Sequence, residues 1–239
     1  MDLFEYQGKK LYKKYNIPTP KSVLLDNLEN LEKTDITQLN YPLVVKAQVQ
    51  VGGRGKAGGI RLVNNKEEMI AASNEILGMD IKGNVVEKLL IEEASEIEDE
   101  YYISFTLDRS KKQYLMLLSS QGGMDIEEVE EENPDDLVKV YIPPSKGLDK
   151  KTLNQAILDA RLSNNLKEEI YEIILSLYNL FTIGDCDLVE VNPLAVIKGG
   201  KVLALDSKIT LDMNAAFRHE EFDKFEKEIP IPKTEQIAK

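Results

Sequence analysis

A glycine-rich segment at residues 52–59 is the part of this sequence whose residue types most clearly suit chemistry. It separates two strand-like segments, residues 41–51 and 60–63, and it carries Arg54 and Lys56. Glycines let backbone N–H groups approach phosphate oxygens closely, and the two cations would offset phosphate charge. The segment therefore predicts a phosphate-binding turn, with a mobile surface hairpin as the alternative.

Two common phosphate-binding motifs do not fit this segment. Gly53, Gly55 and Gly58 formally satisfy G-x-G-x-x-G, but a dinucleotide site requires a helix directly after the glycines, and a strand-like segment follows here. Lys56 is followed by Ala57 rather than Ser or Thr, which excludes a P-loop. What remains is a strand, a glycine turn and a returning strand.

Lys46 lies in the middle of the first of these strands. Burying an uncompensated ammonium group is costly, so a lysine in this position either reaches water or faces an anion. We favour the anion, which makes Lys46 a candidate ligand of a negatively charged group.

A second group of polar residues lies in a hairpin, where Asn192 and Asp206 flank the Gly199-Gly200 turn. Mg²⁺ prefers hard oxygen ligands and usually takes one or two from the protein, with the rest from phosphates and water. Asn192 and Asp206 would supply such a pair if they lay opposite each other. Otherwise the segment is an ordinary hairpin with solvated acids.

The length of the turn decides whether these two residues face each other. A two-residue turn at Gly199-Gly200 would leave Asp206 on the wrong face, because successive strand residues point to opposite faces. A three-residue turn over 198–200, with Gly200 in the left-handed conformation, pairs Asn192 with Asp206 and Glu190 with Lys208. We therefore predict the longer turn.

Composition excludes several classes of protein. The chain has 239 residues with 30 Lys and Arg against 42 Asp and Glu, a net charge of −12 that argues against nucleic acid as the main partner. With Cys186 and His219 the sole residues of their types, an internal disulfide and cysteine- or histidine-cluster metal sites are excluded. No membrane span or N-terminal targeting signal is recognisable, so we expect a cytoplasmic protein. The acidic residues of 125–136 predict a solvated face or loop.

Hydrophobic periodicity predicts alternating helices and strands, of which residues 166–181 form the clearest helix. From Phe217 onward the chain is charged, contains Pro230 and Pro232, and has no further periodic element, so we expect a linker to something larger. The other predicted helices are 2–15 and 66–77, and the other predicted strands are 85–92, 101–107, 114–119, 137–142, 188–197 and 202–207.

Six segments of the sequence match those of a known family in the same order. They are LFEYQGKKLYKKYNIPTP, VVKAQVQVGGRGKAGG, LLIEEASEIEDEYYISFTLDRS, SSQGGMDIEEV, LVEVNPLAV and LALDSKITLDMNAAFR. Across residues 1–220 the chain resembles the β subunits of succinyl-CoA synthetases (succinate–CoA ligases), specifically their ATP-grasp portion. The resemblance implies an α+β ATP-grasp fold with two lobes gripping a nucleotide. The smaller lobe would be residues 21–96, and the larger lobe would be residues 1–20 and 97–239, with 217–239 as a linker-like tail.

The resemblance also implies a reaction. The family interconverts succinyl-CoA, a nucleoside diphosphate and phosphate with succinate, CoA and the triphosphate, and the phosphate travels on a histidine of a partner α subunit. The nucleotide would be ATP or ADP with Mg²⁺, with ATP favoured over GTP, and His219 would be structural. By position, Lys46, Gly53, Arg54 and Gly55 would bind phosphate, Glu92, Ser95 and Glu100 would bind the base and ribose, Asn192 and Asp206 would bind Mg²⁺, and Glu190 would lie near the arriving phosphohistidine.

The chain departs from the family pattern at its end. The family's β subunits continue into a flavodoxin-like domain that completes the CoA and succinate sites, whereas this sequence stops at Lys239. We therefore expect nucleotide binding without the complete ligase reaction. Two alternatives stay open: a related enzyme, such as malate–CoA ligase or the corresponding region of ATP-citrate lyase, and a non-catalytic module. The joint presence of Lys46, Arg54, Asn192 and Asp206 argues against the module, since a purely structural role would not require it.

Overall fold

The computed structural model describes residues 1–26 and 35–229, which form two main antiparallel sheets, a two-stranded ribbon and six α-helices. None of these helices is long and apolar enough to cross a membrane. The strands are β1 (Ser22–Leu25), β2 (Leu43–Ala47), β3 (Ile60–Val63), β4 (Asp80–Ile81), β5 (Asn84–Val85), β6 (Leu89–Glu93), β7 (Ile97–Asp108), β8 (Gln113–Ser119), β9 (Leu137–Ile142), β10 (Cys186–Ile197), β11 (Lys201–Ala204) and β12 (Lys208–Leu211). The helices are α1 (Glu5–Lys14), α2 (Lys66–Ile76), α3 (Ile126–Glu132), α4 (Lys150–Asp159), α5 (Lys167–Ile183) and α6 (Glu220–Glu228).

The smaller sheet has the strand order β1-β6-β2-β3 and is covered by α2. Asn65 caps α2, because its side chain accepts a hydrogen bond from the backbone N–H of Glu68. Met69 and Ile76 of α2 belong to the same buried apolar cluster as Val45 of β2. This packing fixes the strand that carries Lys46 and leads into the glycine-rich segment.

The larger sheet has the strand order β11-β10-β7-β8-β9, and β12 also pairs with β10. Helix α5 packs on this sheet through the apolar stripe that predicted it, and Ile170, Ile174 and Leu177 are fully buried. Phe181 continues the stripe and stacks on Phe105 of β7 at 6.1 Å between ring centroids. Helix α5 thus covers one face of the sheet, and strands β7 and β10 carry polar residues on the other face.

Several predicted elements differ in extent from those observed. The helix predicted from residue 2 begins at Glu5, because Asp2 pairs with Thr210 and the backbone N–H of Leu3 bonds to Ile209. The strand predicted at 85–92 is divided into β5 and β6, because Val86 turns back to bond with Met79. Helices α3 and α4 were not predicted, and in α3 the acidic residues are exposed as expected while Val129 alone is buried.

The prediction that no periodic element follows Phe217 is wrong. Helix α6 packs against the larger core, where Phe222 and Phe225 are 1% and 6% exposed, while residues 230–239 lie outside the described part of the chain. His219 precedes this helix, stacks on Phe222 at 4.6 Å and lies with Nε2 2.6 Å from Asp185 Oδ2. The segment is therefore a part of the folded domain, and its contacts are structural.

We predict that Phe222→Ala will destabilise the protein by about 3 kcal/mol, because it deletes a buried aromatic side chain and leaves a cavity. Phe217→Ala provides the matched control, since the Phe217 side chain is 85% exposed. Urea unfolding followed by circular dichroism measures both. Equal stability of the two variants would mean that α6 does not contribute to the core.

Candidate functional site

A cavity of about 390 Å³ lies between the glycine-rich segment and the strands β7, β10 and β12 of the larger sheet. Its walls combine a turn rich in backbone N–H groups with the carboxylate and amide side chains of the hairpin. The cavity is lined by six of the predicted site residues: Gly53, Arg54, Gly55, Glu190, Asn192 and Asp206.

The glycine-rich segment folds tightly over the end of β2. Gly53 has a φ of +80°, a conformation that favours glycine, and the Arg54 carbonyl accepts a hydrogen bond from Gly59 N at 2.8 Å. A Cβ on Gly59 would lie 2.8 Å from Ile81 Cδ1 and 3.0 Å from Ala47 Cβ, so a larger residue would not fit. This closure directs the Arg54 side chain inward, where the residue is 7% exposed.

The predicted register of the hairpin is confirmed. Ile197 pairs with Lys201, which leaves residues 198–200 as a three-residue turn, and Gly200 has a φ of +73°. Leu194 pairs with Ala204 and Glu190 pairs with Lys208, so the same register runs on both sides of positions 192 and 206. This register aligns Asn192 with Asp206 across the hairpin, and both residues line the cavity.

Asn192 is held by the loop that precedes α3. Its Oδ1 accepts a hydrogen bond from Gly123 N at 2.7 Å, and its Nδ2 donates to the Met124 carbonyl at 2.8 Å. The pairing of β10 with β7 shifts by one residue between Val191 and Leu194, as in a β-bulge. A bulge redirects side chains locally, and it also tolerates a residue such as Pro193 that has no N–H to donate.

Asp206 lies between the glycine-rich segment and the hairpin. Its Oδ1 accepts hydrogen bonds from Arg54 Nη2 and from Ser207 N, both at 2.7 Å. The Asp206 side chain is 38% exposed and borders the cavity. A carboxylate oxygen of Asp206 is thus available to a ligand in the cavity, next to the Arg54 guanidinium of the glycine-rich segment.

Beside the cavity lies a set of charged residues that we call the buried ionic cluster: Glu5, Lys9, Lys46, Arg54 and Glu92. Of these, Glu5 and Arg54 line the cavity. Lys46 Nζ lies 3.0 Å from Glu5 Oε1, 2.8 Å from Glu92 Oε1 and 2.7 Å from the Leu205 carbonyl. Lys9 contacts the same two carboxylates and the same carbonyl. The anions around Lys46 are therefore side chains of the protein itself.

The cluster keeps Lys46 and Glu5 ionised despite their burial. Burial alone would lower the pKa of Lys46, but Glu5 and Glu92 outweigh it and raise that pKa above its ordinary value. Burial would likewise raise the pKa of Glu5, yet Lys46, Lys9 and Arg54 hold it well below its ordinary value. Each charge is stable because its neighbours have the opposite sign.

The residues that the resemblance assigns to the base and ribose do not line the cavity. The Glu92 side chain is 3% exposed, and its oxygens contact Lys46 and Lys9. Ser95 lies half-buried in the connection between β6 and β7. Glu100 of β7 lies beneath Gly123, and burial raises its pKa. Binding of a base by these three residues stays a prediction.

Glu190 occupies the wall of the cavity opposite the glycine-rich segment. Its Oε2 accepts a hydrogen bond from the Tyr102 hydroxyl at 3.1 Å and lies 3.9 Å from Lys208 Nζ. Burial raises the pKa of Glu190, against the opposing effect of Lys208. Its position and environment suit a group that handles a proton or an incoming positive charge.

Sequence reasoning missed Glu5, Lys9 and Tyr102. A signal for the first two exists in the helix pattern, because residues 5, 9 and 12 share one helical face and Tyr12 is an obvious core residue. Charged residues on the same helical face as a core tyrosine predict a buried ion pair. Their partners Lys46 and Glu92 come from distant strands and could not be read from α1 alone.

Several solved structures resemble this chain in fold. A solved structure from Pyrococcus horikoshii shares 20% identity at a TM-score of 0.71, and the match covers 88% of this chain and 92% of that one. The ATP citrate lyase of Methanothrix soehngenii, in complex with citrate and coenzyme A, shares 22% identity at a TM-score of 0.73, over 97% of this chain and 55% of that one. The dinucleotide-forming acetyl-coenzyme A synthetase 1 of Korarchaeum cryptofilum, in complex with coenzyme A and Ca-AMPCP, shares 18% identity at a TM-score of 0.70. This match covers 88% of this chain and 93% of that one.

At these identities the structural matches establish a common fold, and this chain spans about half the length of the citrate lyase. The model of the ATP-grasp domain family matches residues 2–196, most of the chain. The α+β ATP-grasp fold predicted from the sequence is thereby confirmed, and the chain belongs to the ATP-grasp domain family.

Proposed function

We propose that this chain binds ADP or ATP with Mg²⁺ in the cavity and is the nucleotide-binding part of an acid–CoA ligase β subunit, with succinate as the acid. The observation that carries the proposal is the arrangement of Asn192, Asp206 and Arg54 around one cavity. An oxygen pair for the metal and a cation for the phosphates are both components of a phosphoryl-transfer site.

The phosphate side of the site is made by the glycine-rich segment. Arg54 borders the cavity, Lys46 lies behind it, and the backbone N–H groups of residues 52–56 supply further donors. Enzymatic phosphoryl transfer depends mainly on positioning and on neutralising phosphate charge, so these groups would do most of the work.

The donor set at the hairpin fits Mg²⁺. Asn192 and Asp206 offer two hard oxygen donors, and among residues 1–26 and 35–229 no group of three or more His, Cys, Asp or Glu side chains is arranged to hold a metal. That fits an ion that takes few protein ligands and completes its coordination with phosphate and water. When bound, Mg²⁺ would neutralise phosphate charge. Asn192 and Asp206 would hold the metal, and Arg54 would supply a positive charge to the phosphates.

Glu190 is assigned to the side of the cavity where a phosphohistidine of a partner α subunit would approach. Its carboxylate is oriented by Tyr102 and faces Lys208 across the hairpin. A carboxylate in this position would accept a hydrogen bond from the partner's imidazole and hold it in line for transfer. The α subunit, CoA and succinate belong to the complete enzyme, and a malate–CoA ligase would use the same residues of this chain.

We predict that calorimetric titration of the 239-residue chain will detect ADP binding that depends on Mg²⁺, with GDP binding more weakly. Asp206→Asn is expected to abolish the Mg²⁺-dependent part, because it removes the charge of the proposed metal ligand. Asp187→Asn is the matched control, since Asp187 is exposed near the start of β10, the strand that carries Asn192, and does not line the cavity. Identical binding of ADP with and without Mg²⁺ would exclude the proposed metal role.

We predict that Glu190→Gln will slow phosphoryl transfer from ATP to the histidine of a succinate–CoA ligase α subunit by about 100-fold, the scale of a lost acid–base contact. Binding of Mg·ADP should stay close to that of the unaltered chain. Acid-labile phosphate on the α subunit, followed with radiolabelled ATP, measures the transfer.

The same assay separates the alternatives. A non-catalytic module would label no α subunit at any Mg²⁺ concentration. Mg²⁺-dependent labelling that is lost in Asp206→Asn would support the ligase proposal, and a chain that binds Mg·ADP but labels no α subunit would contradict it.

A further inference from the structure

Glu5 is the carboxylate that joins the two cations assigned to the phosphates. Its Oε1 lies 3.0 Å from Lys46 Nζ, and its Oε2 lies 2.7 Å from Arg54 Nη1. Among the residues that the structure describes, Glu92 contacts Lys46 but not Arg54, and Asp206 contacts Arg54 but not Lys46. The relative positions of the two cations therefore depend on Glu5.

Burial distinguishes Glu5 from Asp206, the other carboxylate that holds Arg54. The Glu5 side chain is 1% exposed, whereas the Asp206 side chain is 38% exposed. Glu5, Arg54 and Asp206 all line the cavity, but both oxygens of the Glu5 carboxylate are occupied by Lys46 and Arg54. Glu5 is thus suited to orient other groups rather than to contact the ligand.

The backbone around Glu5 is held in place by hydrogen bonds within the protein. Phe4 N donates to Gln7 Oε1 and Tyr6 N donates to Gln48 Oε1, each at 3.0 Å. Gly8 lies so close to the hairpin that a Cβ there would be 1.9 Å from Ser207 Oγ. The first turn of α1 is therefore held between the end of β2 and the segment that carries Asp206.

The charge of Glu5 matters as well as its position. Without it, the cations Lys9, Lys46 and Arg54 would keep Glu92 and Asp206 as their carboxylate partners. A buried cation that loses a partner seeks another acceptor or water, and its side chain then has more than one available orientation.

We propose that Glu5 is a positioning residue that holds the Lys46 ammonium and the Arg54 guanidinium in the geometry that receives the phosphates of the nucleotide. The proposal rests on the proposed nucleotide site. It gives α1 a role beyond packing, because it assigns the first turn of this helix to the residues that bind phosphate.

The test compares Glu5→Gln and Glu5→Asp with Glu221→Gln. Glu221 of α6 contacts Lys14 of α1 on a surface away from the cavity. Its variant therefore removes one ion pair of α1 and serves as the matched control. Two measurements are made on each chain: the ¹⁵N spectrum of the Arg54 guanidinium without ligand, and calorimetric binding of Mg·ADP and of adenosine.

We expect Glu5→Gln to broaden or shift the Arg54 signal and to weaken Mg·ADP binding by about tenfold or more, the scale of one lost charge-assisted hydrogen bond. Adenosine binding should not change, and Glu5→Asp, which keeps the charge at shorter reach, should lose less. Circular dichroism checks folding. If Glu5→Gln unfolds, the Glu5→Asp result against Glu221→Gln decides.

Unchanged Mg·ADP binding and an unchanged Arg54 signal in the Glu5 variants would overturn the proposal. Tighter binding by Glu5→Gln would also overturn it, since it would mean that Glu5 competes with phosphate. If the unaltered chain does not bind Mg·ADP, the proposed function fails, and the Arg54 signal still decides whether Glu5 positions the guanidinium.

Discussion

Lys9 and Lys46 share the same buried acceptors, and much of the molecule is arranged so that neither charge is left unpaired. The participating groups come from α1, β2, β6 and the segment after β11, which are far apart in sequence. Removing one partner from such a cluster leaves a buried charge uncompensated, which is strongly unfavourable. The ion pairs therefore link the smaller sheet, the first helix and the hairpin of the larger sheet at one point.

That link explains why the cavity lies where it does. Glu5 and Arg54 of the buried ionic cluster line it, the glycine-rich segment forms one wall, and the hairpin forms the other. Charges of both signs are present near the opening, where Arg54 contacts Asp206. A ligand that carries a cation and an anion together, as a metal–nucleotide complex does, would offer each of these two side chains a partner of opposite charge.

Elements with a local cause were predictable from the sequence. The apolar stripe of α5 and the Gly200 turn each depend on residues close together in the chain, and the register of the hairpin followed from the turn. Helix α6 was missed although Phe222 and Phe225 stand at helical spacing, because the segment is short and its other residues are charged. The partners of Lys46 were unpredictable for a different reason: burial of Glu5 and Glu92 depends on how distant elements pack.

The three-residue turn at 198–200 has a consequence for how sequences of this kind diverge. Its residues are exposed, but Gly199 and Gly200 have φ values of +92° and +73°, so only Lys198 should accept most substitutions while Ile197 still meets Lys201. If the turn tightened to residues 199 and 200 alone, Lys198 would meet Lys201, Ser207 would lie opposite Asn192, and Asp206 would turn to the other face. Loss of the two turn glycines would therefore mark a relative whose turn no longer sets the facing pair, even where the asparagine and the aspartate are both retained.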